Sequence, residues 1–429
     1  MRYILIPGLV SLAFILTVCQ KTSNEPFKEI QRPHSTISLR LLHLMELEGS
    51  ELDSELEQIW KLAERDGLPL VELDTLDSDY KYLTLIYRND SENTRITFEV
   101  FGIYDEYRWG DMKLRRLGDS DLHYRCYKVP HDICFSYRFN VIDKLTGITS
   151  KVVDPYNPNA IPIGDTYNYS YSVLDLHKDG YLWNAKKYSD LNSRIDTLHY
   201  TDKIVHKDRD IYVYLPPNYD EDREEAYPVI YLFDAFIYLN RVQVPNILDN
   251  LISEGKIEPM AAVLFGTFRS TRSVILPLNF DFKDEFVSEF LPTIREPYNF
   301  SLRPEENLIG GMSFGGLAGA FIGFHHPEIF GKVLSQSGSF WRGFKQSDAE
   351  GTSIRDDWLI NRFLVEEKLP LKLYLDWGLQ ENYVLDANRR MVKVLQKKGY
   401  EYKFIEFNGW HDWSNSRKTF VEGLQYLLE

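Results

Sequence analysis

The sequence predicts two domains in series: an immunoglobulin-like β-sandwich, then an α/β domain whose mostly parallel sheet is flanked by helices. Three observations predict this. Between residues 80 and 150 apolar residues alternate with period two, in short runs broken by Asn, Asp, Gly and Pro. That is the pattern of short half-buried strands packed as a sandwich. From about Asp196 onward, continuously apolar runs alternate with helical patterns, as in a parallel sheet buried on both faces. One of those runs leads into Gly311-Met312-Ser313-Phe314-Gly315 and then a helix of small residues.

Bulk properties agree. The chain of 429 residues is too long for one ordinary domain. Its 44% hydrophobic and 26% charged residues are those of a soluble globular protein. A net charge of −15 argues against a nucleic-acid partner, which wants a basic face. The 28 Tyr, 25 Phe and 8 Trp suit β-rich cores, or more sharply a surface for aromatic or sugar-like ligands.

Residues 1–18 read as a signal peptide. Arg2 precedes an almost wholly apolar run, Ile4–Val18, too short to span a bilayer comfortably. Cys19 follows directly and resembles a bacterial lipidation site, although Val18 is larger than the residue usual there. Residues 19–36 then form a polar tether and 37–175 the sandwich with leading helices. The helical periodicity runs from Ile37, Leu41 and Leu44 to Ile59, Trp60 and Ala63. Strands follow at Tyr82–Tyr87, Thr94–Val100, His123–Val129 and Phe135–Ile142. Cys126 and Cys134 flank a plausible hairpin connection, as a facing pair or as two independent core thiols; export permits the disulfide. No His/Cys cluster has metal-binding spacing, so no metal is expected.

Residues 176–195 read as a linker, and 196–429 as the α/β domain. Its strands are Ile211–Leu215, Pro228–Phe233, Ala261–Gly266, Asn307–Gly310, Lys332–Ser335, Leu371–Asp376 and Tyr402–Phe407. Helical patterns lie at Val244–Glu254, Asp284–Glu296, Phe314–His325, Asp356–Glu367, Asp386–Lys398 and Ser416–Leu428.

Ser313 sits where a nucleophile elbow would place it, on a glycine-permitted turn between strand and helix. An activated serine needs a base and an acid that orients the base. In α/β-hydrolases they follow in the order Ser, acid, His on loops after successive strands. Here the strand Leu371–Asp376 runs into Gly378-Leu379-Gln380-Glu381, and Tyr402–Phe407 runs into Asn408-Gly409-Trp410-His411-Asp412. His411 is the candidate base and Glu381 the favoured acid. Asp376 and Asp386 stay open as alternatives, Asp386 also as a helix cap. Oxyanion donors would be the Phe314 N–H and an N–H near Ala235.

At these residues the chain resembles the enterochelin esterases of the α/β-hydrolase fold. The carrying motifs are Gly310–Leu317, His326-Pro327-Glu328-Ile329-Phe330-Gly331, Ser335–Trp341 and Gly409-Trp410-His411-Asp412-Trp413. Trp60–Glu72, Leu117–His123 and Asp154–Pro158 are similar to that family's dedicated N-terminal β-domain. The chain departs from the pattern at Ile275, where the family has Glu, at Ala235, where it has Gly, and at Ser416, where it has Trp. The resemblance implies a Ser313–His411–Glu381 esterase acting on an enterobactin-like catecholate siderophore; export is read from the leader and departs from the family, whose members are often cytoplasmic. Iron would arrive within the substrate, with no cofactor. Arg272 and Trp341, with Trp410 or Trp413, become candidates for gripping anionic or aromatic rings, by charge and stacking. The leader places the chain in the periplasm or on the outer membrane as a lipoprotein, touching membrane only through Cys19. Two other readings remain: an acetyl- or feruloyl-carbohydrate esterase, and a non-catalytic lipoprotein that binds a siderophore or glycan.

Overall fold

The computed structural model describes residues 26–102, 111–161, 171–177, 191–343 and 356–429. The leader, Cys19 and most of the expected linker lie outside them. In the N-terminal domain the strands are β1 (His34–Thr36), β2 (Leu70–Leu73), β3 (Tyr80–Arg88), β4 (Thr94–Val100) and β5 (Arg115–Arg116). They continue with β6 (Leu122–Pro130), β7 (Cys134–Asp143), β8 (Thr149–Val152), β9 (Ala160–Ile161) and β10 (Tyr171–Asp175). One sheet runs β1-β6-β3-β2 with β5 on β6, the other β4-β7-β10-β9 with β8 on β7.

Period-two burial explains the sandwich. Leu83 and Leu85 of the first sheet meet Phe98, Phe135, Tyr137 and Phe139 of the second in one core. Ile86, on the opposite face of β3, packs under Leu41, Leu44, Ile59 and Trp60 of the two leading helices. Those helices span Leu39–Glu46 and Gly49–Asp66. The first is capped by the Ser38 hydroxyl, which accepts from Leu41 N.

Two expectations change here. β6 and β7 are not hairpin partners, because the turn between them carries the chain from one sheet to the other. Cys126 therefore lies opposite Thr36 and Thr84, and Cys134 opposite Asp175. Both thiols are free and buried. Nor are residues 26–36 a loose tether. Phe27 packs on Phe404 at 5.4 Å, Arg389 donates to Lys28 O at 2.7 Å, and His34–Thr36 joins β6.

The C-terminal sheet contains β11 (Arg194–Asp202), β12 (Lys207–Leu215), β13 (Val229–Phe233), β14 (Ala261–Phe265), β15 (Asn307–Met312), β16 (Lys332–Gln336), β17 (Lys372–Gly378) and β18 (Glu401–Phe407). Their order is β11-β12-β14-β13-β15-β16-β17-β18, with pairing parallel from β14 to β18. The helices Val244–Ser253 and Trp413–Leu428 cover one face. Phe314–His325, Trp358–Val365 and Tyr383–Lys398 cover the other. The helix expected at 284–296 is interrupted: 286–290 form a wider π turn. Pro292 has no N–H to give the preceding turn, and the regular ladder yields just before it.

Buried Asp154 accepts from the Tyr137 hydroxyl at 2.6 Å and from Tyr156 N at 3.0 Å. Burial pushes its pKa up from 3.8 to about 6. The folded state therefore holds this proton after the unfolded chain has released it. Its contribution to stability falls as pH rises from about 4 to about 6, by at most about 3 kcal/mol. Urea unfolding of Asp154→Asn should lack this part of the wild-type pH dependence. Parallel curves for the two proteins would show that Asp154 titrates normally.

Candidate active site

Ser313 stands between β15 and the helix Phe314–His325, with φ 61° and ψ −118°. This region is strained for a residue with a side chain, and surrounding bonds hold it there. Ser313 N donates to Gln336 O at 2.8 Å, and Ser313 O accepts from Leu317 N at 3.0 Å and Ser339 N at 3.1 Å. A Cβ on Gly311 would lie 2.9 Å from the Gly315 carbonyl carbon. The strand end and the helix start touch, which is why glycine is needed at this turn. Ser313 Oγ hydrogen-bonds Ser339 Oγ at 3.2 Å. Among the described residues it makes no hydrogen bond to His411.

The candidate base and its candidate acid meet on neighbouring loops. His411 Nδ1 lies 2.6 Å from Glu381 Oε2. Glu381 Oε1 accepts from Gly378 N at 2.6 Å and from the Ser337 hydroxyl at 2.7 Å. The Glu381 side chain is 1% exposed, so these three donors replace the water it has lost. Asp376 instead lies buried beneath the site, near Gln336 and Thr419, and burial pushes its carboxyl well above the usual range. Asp386 lies in the first turn of the helix Tyr383–Lys398, whose cap position is Asn382. Asp412 caps the final helix by accepting from Ser414 N.

Phe314 and Ala235 each open a helix, so neither N–H has an acceptor within its own helix. Asp234, at φ 65°, sets the turn before Ala235. Arg272 donates to Asp234 from Nε at 2.7 Å and from the terminal nitrogen at 2.6 Å, and to Met312 O at 3.2 Å. Its charge is therefore balanced, and it ties the turn before Ala235 to the residue before Ser313.

A cavity of about 290 Å³ joins Ser313, His411 and Arg272 to the aromatic side chains of Phe314, Trp341 and Tyr383. Trp341 packs edge-on against Tyr383 at 4.9 Å. Trp410 shows the cavity only an edge: it is 2% exposed and T-stacked on Phe135 of the sandwich at 5.7 Å. Trp413 begins the last helix and does not line the cavity. Sequence reasoning missed Ser337, Ser339, Tyr383 and Gly102. The two serines lie in the quoted Ser335–Trp341 run, whereas nothing local marks Gly102, which another domain supplies. The fold also gathers Cys134, Asp175 and His177, with ligand atoms within 4.8 Å of one another, a grouping that spacing did not reveal. His177 and Asp175 are already hydrogen-bonded to each other at 2.8 Å.

A serine at a strained strand–helix turn, on a mostly parallel sheet, with a Glu–His pair on the next loops, defines the α/β-hydrolase class. Residues 203–427 match the family model named Esterase, and the chain belongs to that family. An iron(III) enterobactin esterase of Escherichia coli K12 is 30% identical over 203 residues, covering 47% of this chain and 49% of that one. The match thus spans about half of that relative's length. The iron(III) enterobactin esterase of Dickeya dadantii is 24% identical over 409 residues, covering 87% of this chain and 93% of that one. The solved ferric enterobactin esterase of Salmonella typhimurium superimposes with a TM-score of 0.72 at 20% identity, over 86% of this chain and 98% of that one. The likeness in fold therefore includes both domains.

The geometry separates the three acid candidates. Glu381→Gln should lower kcat on a p-nitrophenyl ester by about 10⁴-fold, by analogy with removal of the orienting acid from other triads. Asp376→Asn, replacing a buried acid with its near-isostere, should stay within about 3-fold of wild type. The reverse order would move the acid role to Asp376.

Proposed function

We propose that the chain is an exported serine esterase that hydrolyses ester bonds of a catecholate siderophore. One observation carries the enzymatic reading: the 2.6 Å Glu381–His411 bond opens onto the same cavity as the strained Ser313. In the reaction Ser313 Oγ turns from Ser339 toward His411 and gives up its proton as it attacks the ester carbonyl. Glu381 holds the tautomer that leaves His411 Nε2 free to accept. The tetrahedral oxyanion takes the Phe314 and Ala235 N–H groups. His411 then protonates the departing alkoxide, and water, activated by the same base, releases the acid from Ser313.

The substrate class follows from the two-domain relatives, whose names specify iron(III) enterobactin. The aromatic cavity of Trp341, Tyr383 and Phe314 suits a catechol ring, which stacks on such walls. Iron enters as part of the substrate, so no resident cofactor takes part. The apolar leader followed by Cys19 supports an extracytoplasmic site of action with a lipid anchor at Cys19.

Purified wild type should hydrolyse p-nitrophenyl esters and Ser313→Ala should not; equal background rates would leave only a binding protein. Mass spectrometry should find linear dihydroxybenzoylserine products from enterobactin and little turnover of a feruloyl sugar. The opposite result would make it a carbohydrate esterase. A palmitate analogue should label the wild type in cells but not Cys19→Ala; equal labelling would remove the anchor from Cys19.

A further inference from the structure

The loop that carries His411 is held by the other domain along its whole length. Asn408 donates from Nδ2 to Asp132 Oδ1 at 2.7 Å, and its carbonyl accepts from Cys134 N at 3.2 Å. A Cβ on Gly409 would come within 3.0 Å of Cys134 O. Trp410 is part of the sandwich core. Asp412 accepts from both Ser136 N, at 2.5 Å, and Ser136 Oγ, at 3.1 Å. Past the loop, Asn415 donates to Cys134 O at 3.0 Å. The start of β7 thus runs alongside the histidine loop, residue by residue.

The neighbouring strand of the same sheet, β4, adds a contact of its own. Gly102, just past β4, packs so tightly on the loop that a Cβ there would lie 2.3 Å from the His411 carbonyl oxygen. Within its own domain the loop backbone is tied by Gln380 N, which donates to Gly409 O at 3.1 Å, and the imidazole, among the described residues, is hydrogen-bonded by Glu381 at Nδ1. That bond sets the tautomer and one direction of the ring. It leaves the height of the loop above Ser313 to whatever grips the backbone of residues 408–412.

We propose that the N-terminal sandwich positions the catalytic histidine, with Ser136, acting through Asp412, and Gly102, acting on the His411 backbone, as positioning residues. The proposal rests on the Ser313–His411–Glu381 reading. The sandwich is then a working part of the active site and not a separable binding module. A misplacement of about 1 Å at a catalytic group lowers turnover by as much as about 10²-fold. Positioning acts on proton transfer, so the loss falls on kcat and is the same for every ester.

The test uses the full chain with Ser136→Ala, Ser136→Thr and Gly102→Ala. Readouts are kcat and KM on p-nitrophenyl acetate and on a bulky aromatic ester, the rate at which a fluorophosphonate labels Ser313, and Tm. Rates are normalised to titrated active sites, so partial unfolding does not imitate a catalytic loss. Ser136→Ala should lower kcat about 5- to 50-fold, by one factor on both esters, with KM within about 2-fold and labelling slowed in step. Ser136→Thr, which keeps the hydroxyl, should recover most of the loss. Gly102→Ala should produce the same pattern through the His411 backbone. A lowered Tm with unchanged kcat per active site would overturn the proposal and make the contacts a mere weld. A loss confined to KM for the bulky ester would overturn it in favour of a binding wall. Absence of any Ser313 labelling in the wild type would sink the triad, and the positioning role with it.

Discussion

The hydrogen bond between Glu381 and His411 is the contact around which the rest of the molecule is arranged. Its partners sit on loops after β17 and β18, which are parallel and adjacent. Ser313 follows β15, and Ser337, which braces Glu381, follows β16. Four neighbouring parallel strands therefore deliver their functional groups to one edge of the sheet. Ligand sites in open α/β sheets lie at that carboxyl edge because parallel strands all end there. The order Ser, acid, His along the chain becomes the order of loops across the sheet.

Hydrogen-bond supply separates the two buried carboxylates on β17 and its loop. Glu381 has a backbone N–H, a hydroxyl and an imidazole within 2.7 Å. Asp376 Oδ2 has no partner among the described residues, and burial drives that acid toward its protonated form. An uncompensated charge inside a protein neutralises itself by shifting its pKa. The carboxylate nearer in sequence to the strand core is thus unsuited to orient a histidine. The one placed beyond Gly378 is suited, because the turn turns a backbone N–H toward it.

Much of this was legible in the sequence, and the rest was hidden for physical reasons. The central parallel strands β13 and β14 announce themselves as continuous apolar runs, since both of their faces are buried, whereas the edge strand β18 alternates. Gly311 marks the elbow, because a side chain there would collide with the backbone of Gly315 where the strand end meets the helix start. Period two, in contrast, reads the same whether neighbouring strands pair or cross between sheets, so the relation of Cys126 to Cys134 was not readable. The docking of Phe27 on Phe404 joins residues far apart in sequence, and polar composition around Phe27 gave no hint of it. Trp410 looked like a ligand-stacking residue because its motif surrounds the histidine. Its burial against Phe135 depends on a second domain, as does Gly102 at the cavity. Local patterns report which residues want to be buried, not against what.

The most direct measurement is the crystal structure of the chain after reaction with a phosphonate ester analogue. Phosphorus should be bonded to Ser313 Oγ. The phosphoryl oxygen should lie about 2.7–3.1 Å from the Phe314 and Ala235 nitrogens, with His411 Nε2 facing the leaving-group position. An adduct on another residue would contradict the triad built on Glu381 and His411, as would a phosphoryl oxygen turned away from both N–H groups.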